Sequence, residues 1–107
     1  MKLRSLLFVP GDRPERFAKA ATSGADAIII DLEDSVALDQ KSVAHAAVVE
    51  YLAGDRGGVP TFVRVNPVES DLCKADVDAI IPVLPDGIVL PKTEGARSIR
   101  HLRSMID

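Results

Sequence analysis

Ala27-Ile28-Ile29-Ile30-Asp31-Leu32-Glu33-Asp34 is the stretch on which the fold turns. Its first half is an apolar run dominated by isoleucine, the pattern of a buried strand. Its second half sets three carboxylates within four residues at that strand's carboxyl end. Alternate side chains of a strand share a face, so Asp31 and Glu33 point the same way, with Asp34 turning off beside them. Carboxylates this close repel one another unless a cation, an arginine or a shared proton sits among them. An acid-rich solvated turn is the plain alternative, but the position at a strand's carboxyl end favours a site.

The same pattern of strand, turn and helix continues on either side. Upstream, Leu6 to Val9 reads as a short buried strand halted by Pro10-Gly11. Asp12 and Glu15 have the spacing of a capping box, Pro14 suits a first helical turn, and a helix is predicted from about Arg13 to Ser23 with Gly24 as its C-cap. Downstream, Val43, Ala44, Ala47, Val48, Tyr51 and Leu52 recur at the spacing of one helix face. Asp39 is placed to cap that helix and Gly54 to end it. Lys41, His45 and Glu50 fall off the stripe, which predicts a surface position for His45.

A third strand is predicted over Thr61–Val65, ended by Asn66-Pro67. Ser70 can cap a helix running to about Ile81, with Leu72, Val77, Ile80 and Ile81 inward and Pro82 as the stop. Cys73 on this helix reads as a buried or half-buried thiol. A fourth strand, Ile88–Leu90, leads into Pro91-Lys92-Thr93-Glu94. A last helix from about Gly95 carries Ile99, Leu102 and Ile106 on one side, with Arg97, Arg100, His101 and Arg103 mostly on a solvated face.

Strand followed by helix, four times over, is the signature of an α/β fold with a parallel sheet and right-handed crossovers. Two architectures satisfy it: a small doubly wound sheet, or part of an eight-stranded barrel. A full barrel takes about 250 residues, so a chain of 107 supplies about four units of one. The composition, 47% hydrophobic and 27% charged, is that of a globular protein. A net charge of -3 gives no reason to expect nucleic acid or an acidic membrane surface as partner. One cysteine excludes an internal disulfide. The N-terminal apolar run is too short for a membrane span and lacks a signal-peptide cleavage pattern, so a cytoplasmic location is expected.

Charge gathers at the carboxyl ends of all four predicted strands, where either architecture builds its sites. Pro10-Gly11-Asp12-Arg13 follows the first, the three acids the second, and Lys92 and Glu94 the fourth. The third carries Arg64 and Asn66, which two-residue alternation puts on one face. A guanidinium there has the shape to hold a substrate carboxylate in a two-pronged grip, and pairing with Asp31 or Glu33 is its structural alternative. Lys92 in a site would hold an anion or neutralise the acids. Arg13, Arg16 and Lys19 run along the first turns of the first helix, a solvated face or a phosphate site. Gly11 has no other glycine near it, which excludes a P-loop and a dinucleotide fingerprint. Neither a Ser-His-Asp set nor a metal-binding His/Cys spacing is present.

Four stretches together resemble one family. They are Arg4-Ser5-Leu6-Leu7-Phe8-Val9-Pro10-Gly11, Asp31-Leu32-Glu33-Asp34-Ser35-Val36, Val63-Arg64-Val65-Asn66-Pro67 and Leu90-Pro91-Lys92-Thr93-Glu94. In order and spacing they are similar to the citrate lyase β-subunit-like proteins, which include citryl-CoA, malyl-CoA and citramalyl-CoA lyases. The resemblance implies a TIM (β/α)8 barrel, with residues 1–107 as about its first four βα units, the N-terminal half of a lyase domain. It implies a magnesium-dependent carbon–carbon cleavage of a 3-hydroxyacyl-CoA thioester by retro-aldol or Claisen-type chemistry. The alternative is a truncated, non-catalytic half-barrel that binds an acyl-CoA or a partner subunit.

By the same resemblance Arg64 is the arginine for the substrate carboxylate. Asp31, Glu33 and Asp34 are the catalytic acids lining the Mg2+ and its waters, with the direct ligands, a Glu and an Asp, expected beyond Asp107. Phe8 and Lys19, with Arg13 or Arg16 nearby, fall at contacts to the acyl-CoA. Lys92 and Glu94 match the substrate-side motif after the fourth strand. His45 stands where an arginine is usual. The expected partners are an acyl-CoA thioester or a small keto acid. A half-barrel would leave an apolar face and two open edges, so a homo-oligomer is expected.

Overall fold

The apolar runs form strands and the periodic stretches form helices in a computed structural model that describes residues 5–54 and 58–90. Strand β1 is Leu6–Pro10, β2 Ala27–Asp31, β3 Thr61–Arg64 and β4 Gly87–Val89. Helix α1 is Phe17–Ala21, α2 Lys41–Ala53 and α3 Asp71–Ile80. Lys92, Glu94 and the helix expected from about Gly95 lie outside the described residues.

All four strands run parallel in the order β1-β2-β3-β4. The register aligns Phe8, Ile29, Phe62 and Gly87 across the sheet, and one step further Pro10, Asp31, Arg64 and Val89. Side-chain alternation then sorts the strands into two faces. Val9, Ile28, Ile30 and Val63 share one face, and the core packs them against Phe17 of α1, Ala44, Val48 and Leu52 of α2, and Val77 and Ile80 of α3. All three helices therefore cover the same side. A doubly wound sheet reverses its strand order and carries helices on both faces. Sequential order with one-sided helices is the winding of a (β/α)8-type barrel, here four strands of one. The other face bears Leu6, Phe8, Phe62 and Arg64, with Leu6 49% and Phe8 50% exposed.

Two aspartates stitch the amino ends of the strands. Asp26, just before β2, accepts a hydrogen bond from the Ser5 amide at 2.9 Å. Asp86, just before β4, accepts one from the Thr61 amide at 2.7 Å. In both cases the acid precedes one strand and fastens the start of its neighbour.

The helix starts depart from expectation. Asp12 and Glu15 form no capping box: a 3-10 turn, Pro14–Arg16, opens the helical segment with no side-chain cap. Gly24 does follow it, at φ 91, a left-handed conformation that suits glycine. Asp39 lies inside another 3-10 turn, Leu38–Gln40, and caps nothing. Ser70 stands at the start of α3, but its hydroxyl donates to the Pro67 carbonyl instead of capping the helix. Helix α2 buries its predicted stripe with one exception and one addition. Val43 is exposed, whereas Lys41 joins Ala44, Val48 and Leu52 on the buried side.

Candidate active site at the carboxyl rim

Strand register builds the centre of the site. Asp31 ends β2, Arg64 ends β3, and the two are neighbours across the ladder. Arg64 donates from Nε to Asp31 Oδ1 at 2.9 Å and from Nη2 to Oδ2 at 2.8 Å, a two-pronged ion pair. Its guanidinium carbon lies 4.9 Å from the centre of the Phe8 ring, which supports the fork from beside by cation–π attraction. Glu33 adds a looser contact, with Oε1 3.9 Å from Arg64 Nε. Asp34 is exposed, yet its charge still acts on Arg64. Hydrogen bonding to Asp31, helped by the three carboxylate charges, raises the guanidinium's pKa above its usual value.

Asp31 is saturated. Besides Arg64, its oxygens accept the Glu33 amide at 2.9 Å, the Ser35 amide at 3.0 Å and the Ser35 hydroxyl at 2.7 Å. Burial by itself would raise its pKa, but the Arg64 bonds together with those from Glu33 and Ser35 outweigh burial and hold the carboxyl well below the usual range. A depressed folded-state pKa adds stability that is complete above the unfolded value, near 3.8, and lost as pH falls through the folded value. Replacing Asp31 with Asn therefore costs a constant amount from about pH 5 to 7, and the cost shrinks below about pH 4. Urea titrations of both proteins across that range check it, and a difference that does not change with pH would contradict it.

Gly11 lets β1 approach this rim. Its amide donates to the Asp31 carbonyl at 2.8 Å. A Cβ there would stand 2.8 Å from that same carbonyl oxygen and 3.3 Å from the Ala44 methyl. Gly11→Ala should lower stability by about 1–3 kcal/mol, because backbone and not a flexible side chain must move. Equal urea midpoints for the variant and its parent would refute this.

Beneath the rim lies a buried polar chain that the sequence did not disclose. The Lys41 ammonium donates to the carbonyls of Leu32 and Glu33, both at 2.7 Å, and to Asn66 Oδ1 at 3.1 Å. Asn66 donates from its side chain to the Leu32 carbonyl at 3.0 Å and to Asp76 Oδ2 at 2.6 Å, and from its backbone to the same oxygen at 2.8 Å. Asp76 Oδ1 meets His45 Nε2. His45 is thus a half-buried partner of a fully buried carboxylate, not the surface residue its helical position suggested. Asn66, expected on the face of Arg64, turns instead into the helix layer, because β3 ends at Arg64 and strict alternation ends with it.

Two signals in the sequence could have exposed this chain. Asp76 sits among Cys73, Val77 and Ile80 on the buried stripe of α3, where a carboxylate needs a partner. Lys41 stands in the first turn of α2, where a cation is disfavoured by the helix dipole.

The other candidate contacts lie on the β1 side. Phe8, Pro10, Arg16, Lys19 and Ser23 line a groove of about 520 Å3. Arg13 is not among its lining residues, whereas Arg16 is. As for metal, among the described residues no three of His, Cys, Asp and Glu converge as a cage. Asp31 is fully occupied by donors, so of the three acids Glu33 and Asp34 have oxygens to offer a hydrated cation. They fit one wall of such a site, not the whole of it.

Comparison with known proteins agrees with this fold. A family model described as HpcH/HpaI aldolase/citrate lyase matches residues 4–107. The citrate lyase subunit beta of Leuconostoc mesenteroides subsp. cremoris is 38% identical over 96% of the chain, which covers 34% of that protein. A (3S)-malyl-CoA thioesterase of Cereibacter sphaeroides is 36% identical over 96% of the chain, covering 36% of its own length. The crystal structure of CitE from Mycobacterium tuberculosis in complex with magnesium, acetoacetate and coenzyme A superposes with a TM-score of 0.76 at 36% identity, over 94% of this chain and 36% of that one. The chain spans about a third of the length of the curated relatives it matches. With one-sided parallel strands, the Asp31–Arg64 pair at their carboxyl rim and a family match along almost its whole length, the chain belongs to the HpcH/HpaI aldolase/citrate lyase family.

Proposed function

We propose that the complete protein is a magnesium-dependent lyase that splits a carbon–carbon bond of a 3-hydroxyacyl-CoA thioester of the citryl-, malyl- or citramalyl-CoA type. The observation that carries this reading is the grip of Asp31 on Arg64. It uses two of the fork's five N–H groups and leaves three without a hydrogen bond among the described residues, on the face away from the helices. These can receive a carboxylate, and Phe8 and Asp31 hold the fork ready for it. The groove with Arg16 and Lys19 suits the phosphates of a CoA moiety, beside Phe8, which both features share.

The charge balance supports a divalent ion. Among the described rim residues Asp31, Glu33 and Asp34 face Arg64, an excess of two negative charges, while buried Lys41 is matched by buried Asp76. A bound Mg2+ supplies charge stabilisation at the substrate oxygen as the carbon–carbon bond breaks. In cleavage the C3 hydroxyl would pass its proton to water and the C2–C3 bond would break, giving a carbonyl at C3 and an acyl-thioester enolate that takes up a proton at C2. In that step Arg64 orients the carboxylate next to the hydroxyl carbon, Asp31 keeps Arg64 in place, and Glu33 and Asp34 hold water at the edge of the site.

The relative named as a malyl-CoA thioesterase favours a second reading, hydrolysis of the thioester with the carbon chain intact. Product analysis separates the two. The complete protein, given malyl-, citryl- and citramalyl-CoA with and without magnesium, should release an acyl-CoA and a keto acid or aldehyde acid only with the metal. Free CoA with an intact hydroxy acid would establish hydrolysis. No consumption of any of the three would overturn both readings.

A further inference from the structure

We propose that Lys41 is the positioning residue of the Arg64 grip: from the helix side of the sheet it staples together the two strand ends that carry Asp31 and Arg64. The proposal rests on the reading of Arg64 as the carboxylate-holding group. Lys41 is only 9% exposed, and its ammonium finds three acceptors, as many as it has N–H donors. The Leu32 and Glu33 carbonyls belong to the turn after β2, and Asn66 Oδ1 belongs to the segment after β3. One cation thus spans the carboxyl ends of two adjacent strands. Between the same ends the Leu32 amide donates to the Arg64 carbonyl at 2.9 Å, so the staple lies directly behind the Asp31–Arg64 pair.

The third acceptor is itself fixed. Asn66 gives its side-chain N–H groups to Leu32 and Asp76, which leaves its oxygen facing Lys41, and Asp76 is held in turn by His45. Nothing in helix stability asks for a lysine at the first residue of α2, where the dipole opposes it. A buried ammonium without well-placed acceptors is costly, so its use here is tied to this arrangement of carbonyls. Those carbonyls belong to the residues between Asp31 and Asp34. If they relax, the amides of Glu33 and Ser35 that hold Asp31 move with them, and Arg64 loses its fixed direction. Lys41 never reaches the open face, so it acts through Arg64 and not on substrate.

The test measures two ligands on the complete protein by calorimetry: pyruvate in the presence of magnesium, for the Arg64 end, and CoA, for the groove by Phe8 and Lys19. Lys41→Met should weaken pyruvate at least about tenfold and change CoA by less than about twofold. Lys41→Arg keeps the charge but not the placement of the donors, and should weaken pyruvate at least about threefold with CoA again unchanged. That variant carries the test if Lys41→Met fails to fold. Pyruvate affinity within about twofold of the parent in either folded variant overturns the proposal, as does parallel loss of both ligands. Arg64→Ala is measured alongside. If it loses pyruvate and the Lys41 variants do not, the positioning role alone is wrong. If Arg64→Ala itself keeps pyruvate within about twofold, the Arg64 reading fails and the staple fails with it.

Discussion

Arg64→Ala in the complete protein should lower kcat/KM for its acyl-CoA substrate by about 30-fold to several thousandfold. That range corresponds to about 2–5 kcal/mol, the usual loss when a charge-assisted, two-pronged contact is removed. The geometry makes the effect large because Arg64 is prepared in advance. Asp31 holds two of its donors, Phe8 supports its plane, and neighbouring carboxylates keep it charged at every working pH. On the proposed reading a substrate carboxylate meets a fork already oriented. Arg64→Lys should recover little, because a single ammonium cannot bond Asp31 and a substrate carboxylate in the same plane. Some stability is lost too, since Asp31 keeps only the bonds from Glu33 and Ser35. The loss of activity should nonetheless exceed what the melting curve accounts for. Activity within about twofold of the parent, or about 0.4 kcal/mol, would make Arg64 a structural partner of Asp31 and nothing more.

Asp76→Ala should be the most damaging single change to stability in the described residues, at about 3–5 kcal/mol. Asp76 is fully buried and accepts hydrogen bonds from the Asn66 amide and side chain, and its other oxygen meets His45. Truncation leaves the Asn66 amide and one of its side-chain N–H groups without a partner where water does not reach, and it removes the carboxylate from half-buried His45 and the buried counter-charge nearest Lys41. Folded domains are typically stable by about 5–15 kcal/mol, so such a loss removes a large share of the total. Asp76→Asn retains one acceptor oxygen and the shape, and should cost clearly less. Urea unfolding of the three proteins measures both differences. A loss below about 1 kcal/mol for Asp76→Ala would refute the buried chain as a source of stability.

Much of the rim was legible in advance. Apolar runs bounded by glycine and proline marked all four strands within about a residue or two. Charge at successive strand ends marked the rim where the candidate site is proposed. The pairing of Arg64 with Asp31 stood among the sequence's alternatives, because both residues fall at the ends of apolar runs. Helix faces were less legible. On α2 the predicted stripe packs in or against the core except for Val43, which suits a buried position as well as Ala44 does. The choice fell to the small Ala44, which fits against the β1 turn near Gly11. Caps failed for a related reason. Asp39 and Ser70 have capping chemistry, but a 3-10 turn and the Pro67 carbonyl took their places.

The amino-acid sequence by itself determined what acts within a few residues. Periodicity, turn chemistry and the order of the motifs specified alternating strands and helices, an acidic turn after β2 and an arginine at the end of β3. The tertiary structure alone decided which residues meet. Strand register brings Asp31 beside Arg64 across 33 positions of chain, and helix packing brings His45 to Asp76 across 31. It also decided that the helices share one face, since local preference is the same in a doubly wound sheet and a barrel. Burial converted Lys41, His45 and Asp76 from ordinary helix charges into one connected chain, because a charge withdrawn from water must find its partners wherever the fold puts them.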